Sequence, residues 1–139
     1  MRVSNALRRE SGFTLLEMLA VIVLLGIVTT IVVRQIGGSM DKGKYDAGKA
    51  QLASLSMKIE NYALDIGQPP KELKDLLARP VGLANWSGPY ARSSDLQDPF
   101  GYAFGYRNPG EFGSFDLIFF GKDGRSGGEG LNADRGSWE

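Results

Sequence analysis

The chain contains no cysteine and no histidine. The first absence excludes disulfides, thiolate zinc sites and thiol catalysis. The second removes the commonest general base and the commonest metal ligand. Together they argue against an enzyme and leave oxygen atoms as the ligands for any metal. Charge of one sign is also missing: 16 basic residues balance 16 acidic ones over 139 residues. That balance removes the electrostatic basis for a nucleic-acid partner. Locally it breaks down, because residues 1–12 carry Arg2, Arg8 and Arg9 against Glu10, leaving the remainder slightly acidic.

What is present first is a long apolar run. Residues 13–33 contain a single charge, Glu17, in 21 positions. As a helix this run spans roughly 31 Å, the thickness of a hydrocarbon core. A cleaved secretory signal has a shorter apolar region and a small-x-small site, whereas "VVRQIGGS" follows here. The arginines ahead of the run place the N-terminus in the cytoplasm and everything after Arg34 across the membrane.

Downstream, Leu52, Leu55, Ile59, Tyr62 and Ile66 recur at spacings of 3, 4, 3 and 4, one stripe of an amphipathic helix. Gly67 and Pro69-Pro70 end it, while Gly37-Gly38 and Gly43 mark a weak stretch between stripe and apolar run. "PPKELKDLLA" predicts a short second helix, and "RPVGLANWSGPYARSSDLQDP" a loop with one short ordered piece. "YAFGYR" and "SFDLIFF" read as two strands joined by "NPGEFG", with Phe115, Leu117 and Phe119 facing the stripe. Phe100, Tyr102, Phe104 and Tyr106 read as sheet and core packing, whereas Trp86 and Trp138 fit either a buried or an intersubunit role. The tail has five glycines between Gly124 and Gly136 and no apolar periodicity; it is a loop that needs something to hold it.

Glu17 is the anomaly. An isolated acid at the centre of a membrane helix costs about 2.5–3.5 kcal/mol on insertion scales, and residues 13–33 supply no basic side chain. Its place near one end of the span permits snorkelling. Cutting after Gly12 offers another answer, since it exposes the α-amine of Phe13 one helical turn from Glu17. Pairing with that amine, in its own chain or a neighbour's, makes the acid a registration device.

"GFTLLEMLAVIVLLGIV" behind a short basic leader resembles the class III signal of type IV pilin-like proteins. The resemblance implies that a prepilin peptidase cuts between Gly12 and Phe13 and methylates Phe13. It also implies that Glu17 helps recruit subunits into a helical filament. Over almost all of residues 13–138 the chain resembles the major pseudopilins of bacterial type II secretion systems. "GQPPKELKDLL", "GPYARSSDLQDPFG" and the closing "GKDG…NADRGSW" carry the likeness. Type IV major pilins commonly close a C-terminal loop with a disulfide, which this chain cannot do.

The resemblance further implies one structural Ca2+ in the tail, held by Asp123, Asp134 and the main-chain carbonyl of Phe120. Asn132 stands where relatives often have aspartate, so one negative charge is lost, and Glu129 is near enough in sequence to compensate. Calcium takes 6–8 oxygen ligands and accepts irregular loops, and glycine turns its carbonyls inward at little steric cost. An EF-hand is a poor alternative, because counting from Asp123 puts Arg125 and Gly127 at ligand positions.

The expectation is an α+β fold of the type IV pilin-like kind. A long N-terminal helix, half transmembrane and half amphipathic, packs on a small antiparallel sheet with an irregular calcium-binding loop. Its parts are a leader at 1–12, a transmembrane helix at 13–34, a periplasmic continuation at 35–67 and a head at 68–139, with the calcium loop at 120–136. The resemblance implies a single-pass inner-membrane protein with a periplasmic head that polymerises with itself into a pseudopilus exporting folded proteins. Its implied partners are the prepilin peptidase, minor pseudopilins, the assembly platform and the secretion ATPase. A type IV pilin, a minor pseudopilin and a membrane-anchored monomeric calcium-binding module remain alternatives.

Overall fold

The computed structural model describes residues 11–139, so most of the expected leader lies outside the described residues. The chain divides into two compact units, Met1–Gly38 and Ser39–Glu139. The one α-helix among the described residues, α1, runs over Leu15–Ile66 and stays helical through Gly37, Gly38 and Gly43. It stops where expected: Gly67 takes φ +94° and its N–H donates to Ala63 O at 2.7 Å, a left-handed C-terminal cap that glycine adopts without Cβ strain.

In the first unit α1 is long and apolar enough to cross a membrane, and none of its apolar window is buried. In the second unit the predicted stripe is the core. Leu52, Leu55, Ile59 and Tyr62 are buried and Ile66 packs at the edge. Tyr45 and Gly48 carry the same spacing further toward the N-terminus. Gly48 is required by packing, because a Cβ there would land on the Phe119 ring.

The sheet covering this stripe has three antiparallel strands in the order β1-β2-β3: β1 at Gly105–Arg107, β2 at Asp116–Phe119 and β3 at Arg135–Gly136. Tyr106 pairs with Leu117, and Phe119 with Arg135. The central strand supplies Leu117 and Phe119, both 0% exposed. Tyr45, Phe100 and Phe104 surround Phe119, with ring centroids 5.3, 6.5 and 6.3 Å away.

Several elements are shorter than their sequence patterns predict. The second helix is a four-residue 3-10 turn, Leu73–Leu76, whose Leu76 is buried. Pro69-Pro70 before it and Pro80 after it leave too little chain for α-helical propagation. In "YAFGYR" only Gly105 onward joins the sheet, while Ala103 forms an isolated bridge with Gln97. The β1–β2 connection is longer than "NPGEFG". Buried Asp116 organises it by accepting the main-chain N–H groups of Glu111 and Phe112 at 2.7 and 3.2 Å. The tail is irregular as expected, except for a 3-10 turn at Gly130–Asn132 and for β3.

Trp86 is an anchor, donating Nε1–H to Asp75 O at 3.0 Å and packing against the core. Trp138 is half-exposed and stacks on Phe112 at 4.3 Å. Of the aromatic set, Phe104 is buried and Phe100 and Tyr106 pack against the core. Tyr102 stays exposed with its ring over Gly124.

Candidate functional site

Two places hold the predicted site residues. The first is the start of α1. Gly12 and Phe13 precede the helix in exposed, non-helical chain, the conformation a peptidase needs. Glu17 has a role that its isolation in sequence concealed. Thr14 N–H donates to Glu17 Oε2 at 2.9 Å, the Thr14 hydroxyl lies 3.3 Å from the same oxygen, and Glu17 N–H donates to Thr14 Oγ1 at 3.2 Å. This is a reciprocal capping box, satisfying helix N-terminal amides that would otherwise lack partners. Thr-x-x-Glu is legible in "TLLE", so Thr14 is the residue that sequence reasoning missed. With the leader attached, Phe13 offers an amide and not an amine, and Thr14 supplies donors to Glu17 from its main chain and its hydroxyl.

The second place is the loop between β2 and β3. Its backbone doubles back through glycines at positive φ: Gly121 (+71°), Gly124 (+64°), Gly127 (+89°), Gly128 (+102°) and Gly130 (+60°). At Gly121 and Gly128 a Cβ would strike the backbone or Cβ of Asn132, so these turns draw Asn132 against both. Lys122 N–H donates to Leu131 O at 2.8 Å, tying the two arms of the loop together. Asp123 Oδ1 accepts the Arg125 N–H at 3.2 Å, and Asp134 Oδ2 accepts the Gly127 N–H at 2.8 Å.

Asp134 Oδ1 is shut away from solvent and meets no donor. A carboxylate oxygen in that position is costly unless a cation faces it. Among the described residues no three carboxylates gather into a metal-binding group, so Glu129 does not join Asp123 and Asp134 in one. It serves the loop through its carbonyl, which accepts the Asn132 N–H at 3.0 Å. Phe120 closes β2, its ring lying over Gly105. Carboxylates, an amide and main-chain oxygens suit a hard cation such as calcium.

Residues 35–138 match the family described as type II secretion system (T2SS), protein G. The chain belongs to that family. Residues 7–33 match the prokaryotic N-terminal methylation motif, a range that takes in Arg8 and Arg9, the capping box and the apolar run.

Among its relatives is the type II secretion system core protein G of Xanthomonas campestris pv. campestris, 46% identical over 125 residues, covering 90% of this chain and 87% of that protein. The core protein G of Pseudomonas aeruginosa is 34% identical over 138 residues, covering 95% of this chain and 97% of that protein. The crystal structure of the major pseudopilin from the type 2 secretion system of enterohaemorrhagic Escherichia coli superposes with a TM-score of 0.58 at 28% identity. That match covers 73% of this chain and 91% of that one. The long helix with its small antiparallel sheet is thus a pseudopilin fold, and the chain is a pseudopilus subunit of type II secretion.

Proposed function

We propose that the pseudopilin is made as a precursor, cut after Gly12 and methylated on Phe13, and then polymerises with copies of itself into a periplasmic filament. Growth of that filament moves folded proteins toward the outer membrane. The observation carrying this reading is the apolar segment of α1 in the first unit, which has a capped start and no buried side chain. Such a segment needs lipid around it before assembly and neighbouring helices afterwards. The role is structural: the head faces the periplasm, the inner membrane holds the span, and the prepilin peptidase acts at Gly12-Phe13. Minor pseudopilins, an assembly platform and a secretion ATPase are the partners of growth.

Cleavage places a positive amine one residue before Thr14, whose amide already donates to Glu17. An amine from the same or a neighbouring subunit then gives Glu17 a counter-charge, and a misplaced subunit leaves the acid unpaired. The test is cross-linking in membranes together with N-terminal mass analysis. The mature protein should begin at methylated Phe13 and give ladders of multimers. Glu17→Ala should insert and be cleaved yet give monomers. Normal ladders from Glu17→Ala would refute the registration role, and monomers alone from the unaltered chain would favour a membrane-anchored calcium module.

The same reading gives the 120–136 loop one structural calcium, with Asp123, Asp134, the Asn132 amide oxygen and the Phe120 carbonyl as its holders. When bound, the ion supplies the positive charge that the enclosed Asp134 Oδ1 lacks. Support comes from that orphaned oxygen and from the glycine turns around it. Calcium should raise the melting temperature of the head and chelation should lower it, with Asp134→Ala insensitive to both. A melting temperature indifferent to calcium and chelator would refute the metal.

A further inference from the structure

The glycine-rich loop is fastened to one particular part of α1. Tyr45 OH donates to Ala133 O at 2.8 Å and accepts from Arg135 Nε at 3.3 Å. Lys122 pairs with Asp41 at 2.6 Å. Asp41 and Tyr45 are four residues apart, so they lie on one helix face a single turn apart. Both flanks of the loop, Lys122 at its entry and residues 133–135 at its exit, are therefore held by the first turns of α1 in the head. The Asp41–Lys122 pair is partly exposed and weak alone. Tyr45 is the stronger tie, since its ring is also packed 5.3 Å from Phe119.

This part of α1 is the one least able to hold itself. Gly37, Gly38 and Gly43 fall in or just ahead of it, and a Cβ on any of the three would meet nothing within 4 Å. Packing does not require glycine there, and each makes the helix about fivefold easier to open than alanine would. Further along, Leu52, Leu55 and Ile59 bury the helix in the core.

We infer that the loop is a clamp: order in residues 121–136 and helicity of residues 39–46 form one equilibrium, joined through Tyr45. Opening the loop loosens the helix, and by linkage stiffening the helix closes the loop by the same factor. The clamp is built from polypeptide groups and does not require the metal. Its extension, that calcium in the loop also orders the helix, rests on the calcium reading above.

Amide exchange of the full-length protein in detergent tests this segment by segment. Tyr45→Phe keeps the ring and removes both hydrogen bonds. It should speed exchange about tenfold in both 121–136 and 39–46, leaving 52–62 unchanged. Gly43→Ala should slow both segments by about fivefold, although residue 43 reaches no loop atom. A Tyr45→Phe effect confined to the loop, or a Gly43→Ala effect confined to the helix, overturns the inference. If Tyr45→Phe loosens 52–62 as well, Lys122→Met decides. A smaller rise in both segments then supports the clamp, and a rise in the loop alone overturns it. Calcium that protects the loop and not 39–46 overturns the clamp while leaving the metal intact. Calcium without effect on either segment, with Tyr45→Phe still loosening both, refutes the metal and supports the clamp.

Discussion

The two parts of α1 are built from the same backbone and live in opposite surroundings. In the first unit Leu15, Leu16 and Ile22 are 90%, 75% and 66% exposed; in the second, Leu55 and Ile59 are 1% and 0% exposed. One stretch is apolar all round and the other on a single stripe, the difference between a helix that waits for an external medium and one that brings its own. Exposure in the first unit fits a helix long and apolar enough to cross a membrane. The stability of the head has its source in the stripe and the sheet laid on it.

The hardest test of that contrast is truncation on each side. Phe119→Ala should destabilise the head by about 3–5 kcal/mol, read from denaturant unfolding of the near-ultraviolet signal. Leu24→Ala should leave the same transition where it was. Equal losses from both would erase the distinction.

A smaller effect separates two glycines of the one helix. Gly48→Ala pushes a methyl group into the Phe119 ring and should cost about 1–3 kcal/mol. Gly43→Ala meets open space and should raise stability by up to about 1 kcal/mol. Opposite signs in one thermal-melt series would show that packing outweighs propensity only where the helix is covered by the sheet.

At the membrane end, Thr14→Ala removes the side-chain acceptor of the capping box, worth about 1 kcal/mol of local helix stability. Circular dichroism and amide exchange in micelles should show fraying of the first turn with the head unchanged. Fraying that spread into the head would contradict the independence of the two environments.

The smallest effect is acidic. Asp95 is held below the usual carboxylate range, first by the hydrogen bond from Lys58 at 2.6 Å and then by the Arg92 N–H. A carboxyl lowered by folding stabilises the head above its ordinary pKa, and that contribution is lost as pH falls through the lowered one. Stability should therefore decline by less than about 1 kcal/mol from pH 5 downward through the acid range. Lys58→Met should flatten this part of the decline, whereas an unchanged slope would remove the pair from the account.

The stripe was legible in the sequence because side chains of one kind recur at helical spacing, and Gly67 ends the helix for the same conformational reason that it reads as a stop. Gly48 was not legible. It continues the stripe with no side chain at all, and only the position of Phe119 explains it. β3 escaped notice because two residues, Arg135 and Gly136, carry no alternation; the strand exists because β2 offers an edge. Buried Asp98 and Asp116 lacked any catalytic spacing and turn out to fold loops. Asp98 Oδ1 accepts the N–H groups of Phe100 and Tyr102 at 2.8 and 3.0 Å, which is the physical content of "QDPFG". At the site, "TLLE" showed its cap in plain letters, whereas the sealed oxygen of Asp134 is a property of the folded loop alone.

Tyr45 meets Ala133 and Arg135 across 88 and 90 positions of chain. Such a closure is slow to find, because a long entropic search precedes its reward. In the order of synthesis the helical stripe is made well before the strands that cover it. Each newborn subunit therefore passes through an interval with an oily face showing, when a chaperone could protect it or another unfinished subunit could capture it by mistake.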